Sequence, residues 1–524
     1  MVKRNVYLPI IFSFILVGCS SEQSSGTTSQ AIATDKSVFI PIEATIADAQ
    51  AAFASKSMTC VQYGQYYVDR IAALDKMPVI DAGGIPLNSI IQINPHWREQ
   101  ALALDAAYSA SGKPVGPLHC VPVLLKDLYD TFDFPTTASS LSLVGSQPPD
   151  DAFSVARMRK AGALILGKAA MTEFAYFTQS FNSRTLRIAT PYDTTKDTGG
   201  SSGGTAAAIA ANFGLTGTGS DTCASIRLPP SNNSLVGVRS SVGLVSQDGL
   251  IPLSHTQDVG GPITRTVRDA ALMLDAMAGV DPSDPRTQDP ERRQPASYTA
   301  YLNKDGLVGK RVGVLRSYGS TNAFGSSAAV DAVVEKAAAD MAANGATIVN
   351  PVTLPNFSTI SVILQEFADN MDGYLKSFNA PRKSTQDIFL SGMVHPVIEA
   401  LIGASIASRD TSSQSYKDTL ARRETMRAYV ESEMNRLKLD VLIYPPVNAP
   451  AQPTGQDQGS NCAFSATTGM PSIVVPAGFT SDTRPLPVGV EIFGRKWDES
   501  TLFEVAYAYE QATHHRKPPV GYDK

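Results

Sequence analysis

Three segments of the chain hold residues whose types and spacing suit nucleophilic chemistry. The first is Gly199-Gly200-Ser201-Ser202-Gly203-Gly204-Thr205, which runs into the helix-like stretch Ala206 to Ala211. The second is Gly219-Ser220-Asp221-Thr222-Cys223-Ala224-Ser225-Ile226-Arg227, with Ser225 standing 24 residues after Ser201. The third is Lys126-Asp127, directly after the apolar run Val121-Pro122-Val123-Leu124-Leu125. A serine hydroxyl is a poor nucleophile until a base takes its proton. A lysine at the end of a buried strand is partly desolvated, which disfavours its ammonium form and fits it to be that base.

Each segment alone has a plainer reading. Glycines before a helix can form a flexible turn, or cradle an anion on free N–H groups. A phosphate-binding P-loop would need a Lys after the last glycine, and none is there. The pattern also fits G-x-S-x-G, but that elbow must follow a buried strand. Here it follows the polar, turn-rich Pro191 to Asp197. A third reading lets the glycines free the backbone for strained angles around a catalytic serine. A lysine after an apolar run is commonly a solvated end-cap. The six histidines, His96, His119, His255, His395, His514 and His515, fall outside these segments, so a Ser-His-Asp arrangement has no support. Ser-Lys arrangements follow the same logic. Cys223 is a rival nucleophile, but its thiolate would need a cationic neighbour.

The elements around these segments alternate. Helical spacing of apolar residues runs from Asp48 to Leu74, and Asn88 to Ile93 reads as a strand. Trp97 to Ser109 reads as a helix and Val121 to Leu125 as a buried strand. Ala152 to Ala161 is helical and stopped by Gly162; Ala163 to Lys168 is a strand. Strand, helix and strand recur at Val308 to Leu315, Ser327 to Ala343 and Ala346 to Val349. This alternation predicts an α/β fold, a mixed sheet between helix layers. Gly199 to Gly261 breaks the rhythm with Gly, Ser and Thr, as long functional loops do.

The N-terminus is a separate region. Lys3 and Arg4 precede the apolar run Val6 to Val17, which ends at Gly18-Cys19. A basic start, a short apolar stretch and a small-residue site read as an export signal. The run is short for a membrane-spanning helix. Leu16-Val17-Gly18-Cys19 resembles a bacterial lipobox, which implies lipidation of Cys19; an ordinary signal with a chance cysteine is the plainer alternative. Residues 1–18 are thus read as signal, 19–40 as a polar flexible tether, and 41–524 as the catalytic domain. Export is expected, with Ser20 after the cysteine favouring the outer membrane in a Gram-negative host. Cys60, Cys120, Cys223 and Cys462 form no CxxC pair and are read as buried small hydrophobes, although an exported setting permits disulfides. No metal-ligand spacing is evident, and no cofactor is expected. A formal net charge of -5 without a long Lys/Arg run argues against nucleic acid.

Taken together the blocks resemble the amidase signature family. Val121 to Asp127 is similar to its catalytic-lysine block, Gly199 to Gly204 to its GGSSGG block, and Asp221 to Arg227 to its nucleophile block, at matching separation. Arg157 to Ala163, Gly167-Lys168, Glu173 to Ala175, Gly260 to Val267, Gly469 to Gly478 and Leu486 to Val490 extend the likeness over roughly residues 45 to 520. The resemblance implies an amide hydrolase with a Ser–cisSer–Lys triad: Ser225 as nucleophile, Ser201 as relay behind a cis peptide bond, Lys126 as base. Backbone N–H groups of Thr222, Cys223, Ala224 and Ser225 would form the oxyanion hole. The family has two glycines where Cys223 and Ala224 stand, which bears on substrate range more than on mechanism, since side chains leave the N–H donors in place. Asp221 and Arg227 are read as an ion pair shaping the loop. Val242 to Pro252 looks similar to members that deamidate peptide C-termini, so a small-molecule or peptide amide is the expected partner. Aryl-acylamide or fatty-amide cleavage, membership of a multi-subunit amidotransferase, and an inactive amide-binding lipoprotein are the alternatives.

Overall fold

The apolar runs become the middle of a large sheet. Pro122–Lys126 and Leu164–Ala169 are strands buried at every position. They pair in parallel, Val123 opposite Ile165 and Lys126 opposite Ala169. Burial along a whole strand is what helices on both faces produce. The structure, a computed structural model, describes residues 39–77 and 83–523. The signal, Cys19 and nearly all of the tether lie outside the described residues.

Among the described residues the sheet has 12 strands. Their spatial order is Ile90–Ile93, Leu164–Ala169, Pro122–Lys126, Thr216–Asp221, Val259–Thr264, Val236–Arg239, Ser472–Phe479, Pro487–Phe493, Val441–Tyr444 and Arg311–Tyr318, with Thr321–Asn322 and Thr347–Leu354 both paired to the last. Pro122–Lys126 lies parallel to both its neighbours, whereas Thr216–Asp221 and Val259–Thr264 are antiparallel. The helix Gly203–Ala210 packs on Thr216–Asp221, Val267–Met277 on Val259–Thr264, and Ala328–Ala343 and Glu499–Thr513 on Ser472–Phe479. This is the α/β architecture that the alternation predicts, a mixed sheet between helices.

Several elements differ from expectation. The helix predicted from Asp48 to Leu74 is two, Ile46–Ala54 and Cys60–Leu74. Each starts on a threonine capping box, Thr45 with Asp48 and Thr59 with Gln62. A side chain that satisfies orphan N–H groups begins a new helix where apolar periodicity alone runs on. The strand predicted from Ala346 to Val349 is Thr347–Leu354, an edge strand with mostly solvent-facing positions and therefore little apolar signal. The strand placed at Val308 to Leu315 runs from Arg311 to Tyr318.

The four cysteines after Cys19 are not separate buried hydrophobes. Cys60 pairs with Cys120 and Cys223 with Cys462, with Cα atoms 5.3 and 5.0 Å apart. Separations of 60 and 239 residues keep both pairings out of a one-dimensional reading. His119 joins the first pair, so that ligand atoms of Cys60, His119 and Cys120 lie within 4.8 Å of one another.

Candidate active site

Lys126 ends its strand with no solvent exposure. Its Nζ donates to Ser201 Oγ at 2.7 Å, to Ser220 Oγ at 2.9 Å and to the Ser220 carbonyl at 3.3 Å. Burial lowers its pKa to about 7, against the opposing pull of the Asp221 and Asp258 carboxylates. The amine is therefore substantially neutral at neutral pH and able to take a proton. Asp127, next in the chain, does different work. Its carboxylate accepts from Thr137 Oγ1 at 2.6 Å and Ser139 N at 2.7 Å, fixing the loop beside the strand end.

Ser201 follows a cis peptide bond from Gly200. Its carbonyl accepts from Thr172 N at 3.0 Å, and Gly200 N donates to the Thr178 carbonyl at 2.6 Å. Two glycines show why the block is glycine-rich. Gly199 takes φ of 82°, where a side chain is disfavoured. A Cβ on Gly204 would stand 2.2 Å from the Ala170 carbonyl oxygen, a backbone atom that cannot step aside. The buried Asp197 carboxylate holds the turn from below, accepting from Gly199 N at 2.8 Å and Ser180 N at 3.1 Å.

Ser225 lies in the loop between Thr216–Asp221 and the short helix Leu228–Asn232, 5% exposed. Asp221 organises this loop. Its carboxylate accepts from Ile226 N at 2.9 Å, Arg227 Nε at 3.1 Å and Arg239 at 2.6 Å. Arg227 also meets Glu491 at 2.8 Å, and Tyr444 donates to the same carboxylate. The expected Asp221–Arg227 pair is thus one edge of a fully buried four-charge network. Removing one partner of a buried ion pair typically costs about 3–5 kcal/mol, because the other charge stays buried. Asp221→Ala should accordingly lower stability by about that much in urea unfolding; an unchanged midpoint would show the network to be dispensable.

Ile226 N is taken by Asp221, and Arg227 N by the Ala224 carbonyl at 2.9 Å. Among the described residues the N–H groups of Cys223, Ala224 and Ser225 have no protein acceptor. Three adjacent donors left open in a buried loop suit a developing oxyanion. Thr222 is held by its side chain: Oγ1 donates to Asp258 at 2.5 Å, and its carbonyl accepts from Gln257 at 3.1 Å. A small cavity lined by Leu128, Ser220, Thr222, Leu250, Leu253 and Asp258 adjoins this point. A groove of about 1160 Å³ along Glu291, Arg427, Arg495 and Trp497 contains none of the candidate residues.

Lys126 and Ser201 therefore meet in space, as the family resemblance implies. None of the six histidines is hydrogen-bonded to Lys126, Ser201 or Ser225 among the described residues. Ser220 and Asp258 are not legible in the sequence. Ser220 gains its contact with Lys126 only because Thr216–Asp221 and Pro122–Lys126 are adjacent strands. Asp258 arrives from a loop 36 residues after Thr222.

A desolvated lysine bonded to one serine, beside a loop of open N–H groups that carries a second serine, is an arrangement suited to hydrolytic chemistry. Residues 77–503 match the family model described as Amidase, and the chain belongs to the amidase signature family. It is similar to the peptide amidase of Stenotrophomonas maltophilia, with 34% identity and a TM-score of 0.84, covering 92% of this chain and 99% of that one. A protein of Arabidopsis thaliana named as a probable amidase is 33% identical over 508 residues, 92% of each chain. An amidase family protein of Bacillus anthracis is 30% identical, with a TM-score of 0.80, covering 91% of this chain and 92% of its own. The protein is an amide hydrolase acting on carbon–nitrogen bonds.

Proposed function

We propose that the enzyme removes the C-terminal carboxamide of peptides through an acyl-enzyme on Ser225. The observation that carries the chemistry is the 2.7 Å contact between Lys126 Nζ and Ser201 Oγ inside a site that favours the neutral amine. Lys126 takes the Ser201 proton as Ser201 takes that of Ser225, and Ser225 Oγ attacks the amide carbon. The oxyanion collects on the N–H groups of Cys223, Ala224 and Ser225, aided by Thr222. The proton returns along the relay to the departing ammonia, and water then cleaves the ester by the same route in reverse. Each oxyanion donor is worth about 2.7–4 kcal/mol.

The likeness to peptide amidase over nearly its whole length supports the substrate class. One such structure holds the competitive inhibitor chymostatin. The aryl acylamidase among the similar structures is 22% identical and speaks for the fold alone. The decisive assay offers the purified protein peptide carboxamides, anilides and fatty amides side by side. Ammonia release from the first at the highest kcat/KM is expected. A preference for anilides or long-chain amides would move the assignment within the family, and no hydrolysis at all would leave an amide-binding protein.

The enzyme is further proposed to be exported and held at a bacterial membrane by a diacylglyceryl group on Cys19. Lys3-Arg4, the apolar run and Leu16-Val17-Gly18-Cys19 support this. That setting also disfavours a role in a cytoplasmic amidotransferase. One acyl chain binds membranes only marginally, whereas two anchor firmly. Wild type should therefore fractionate with membranes, and Cys19→Ser should be soluble or uncleaved with an intact catalytic domain. An unmodified N-terminus downstream of Cys19, on wholly soluble wild type, would show plain secretion.

A further inference from the structure

The nucleophile loop is fixed at both ends and bridged in its middle. Asp221 and its arginines hold the residues on either side of Ser225, and Asp258 and Gln257 hold Thr222. Between these points stands Cys223, half-buried, one of the three residues whose N–H groups remain open. Its sulfur is bonded to Cys462.

Cys462 is a rigid post. It caps the helix Ala463–Thr468. Phe464 in that helix packs against Tyr318, Phe357, Tyr444 and Phe493, with ring centroids 4.7–5.8 Å away. The preceding Asn461 donates to the Ala323 and Pro445 carbonyls at 3.0 and 2.8 Å and accepts from Tyr318 OH at 3.1 Å. Arg423 donates to the Ala466 carbonyl at 2.8 Å. The bridge thus ties the part of the loop with open N–H groups to a firmly packed helix start.

We infer that Cys223 and Cys462 are positioning residues whose disulfide holds the Cys223–Ser225 N–H groups in catalytic register, so that the enzyme is fully active only when this bridge is oxidised. This rests on the acyl-enzyme reading above. Donor alignment is a property of the transition state more than of substrate binding, so loosening it lowers kcat with little change in KM. A dithiol reverses the bridge. Its thiolate attacks the half-buried Cys223 sulfur and releases Cys462 as thiol. Its second thiol then closes on the mixed disulfide, so the reductant becomes a cyclic disulfide while two electrons and two protons pass to the cysteines. Cys60–Cys120, which links the start of the helix Cys60–Leu74 to the chain just before Pro122–Lys126, is replaced by alanines in the reduction test so that the dithiol acts on one bridge alone.

The test uses the full chain in a Cys60→Ala/Cys120→Ala background, treated with dithiothreitol and alkylated, beside Cys462→Ala made in the otherwise wild-type chain. Peptide mapping should find Cys223 and Cys462 modified only after reduction. The kcat should fall about 10–100-fold in both, short of the ~10²–10³ lost when one donor is deleted outright. The acid limb of the pH profile should stay in place, and oxidised glutathione should restore the unalkylated protein. The thermal midpoint should fall, because the bridge closes a long loop of the unfolded chain, and hydrogen exchange within residues 222–226 should accelerate by more than that loss of stability accounts for, a readout independent of turnover. Alkylation of both cysteines without reductant, or full kcat and unchanged loop exchange after reduction, would overturn the inference. An oxidised protein whose loop exchange responds as stated, yet hydrolyses nothing and leaves Ser225 unlabelled, would defeat the acyl-enzyme reading and leave the bridge standing.

Discussion

Ser225→Ala is expected to abolish amide turnover and labelling by a serine-reactive fluorophosphonate, with the fold unchanged. The substitution removes one hydroxyl from a buried loop fixed by other groups: Asp221 through Ile226 N and Arg227, Asp258 through Thr222, and the bridge at Cys223. None of these uses the Ser225 side chain, so loss of activity cannot be ascribed to collapse of the loop. Loss of the nucleophile in a serine hydrolase costs on the order of 10⁶ in kcat, far beyond any positioning effect. Two other nucleophiles lie close by. The Cys223 sulfur is held in a disulfide and has no thiolate to offer. Ser201 Oγ is bonded to Lys126 and could be labelled in its place. Labelling of Ser225→Ala at the wild-type rate would therefore remove Ser225 from the role, and a mapped adduct on Ser201 would reassign it.

Lys126→Met should be the second largest loss. General base catalysis contributes about 10²–10⁴ in rate, and here the same amine also orders Ser201 and Ser220. Wild-type kcat/KM should rise with pH through an apparent pKa near 7, since only the neutral amine accepts a proton and burial lowers the group to about 7. Stability supplies an independent check of sign. An unfolded lysine titrates near ~10.4, so between pH 7 and that value the unfolded chain binds the extra proton. Stability contributed by this site therefore rises with pH across that window, and the penalty for the buried ammonium is greatest below it. Methionine fills similar space without a charge. At pH 6, Lys126→Met should be at least as resistant to heat as wild type while it is close to inactive. A flat acid limb, or a variant near wild type in rate, would exclude the lysine as base.

The candidate site was legible in the sequence to the extent that its parts are local. A strand ending in lysine, a glycine block before a helix and a serine at fixed spacing are short-range patterns; each alone has a plainer reading, and it is the resemblance of the blocks together to the amidase signature family that implies Lys126, Ser201 and Ser225. The glycines are readable because close packing at Gly204 and positive φ at Gly199 admit little else. The buried strands Pro122–Lys126 and Leu164–Ala169 were equally plain, because burial on both faces leaves an unbroken apolar run. Where local chemistry competed with periodicity, as at the Thr59 cap, the pattern misled.

Tertiary structure alone decided the rest. Ser220 meets Lys126 through strand adjacency, Asp258 meets Thr222 across 36 residues, and Glu491 reaches Arg227 across 264. The cysteines read as inert hydrophobes because nothing in one dimension brings Cys223 within 5.0 Å of Cys462. The lysine's working pKa belongs to the same class. Sequence can place an amine at the end of an apolar strand, but desolvation depends on what closes over it, and that is set by Ser201, Ser220 and the sheet in three dimensions.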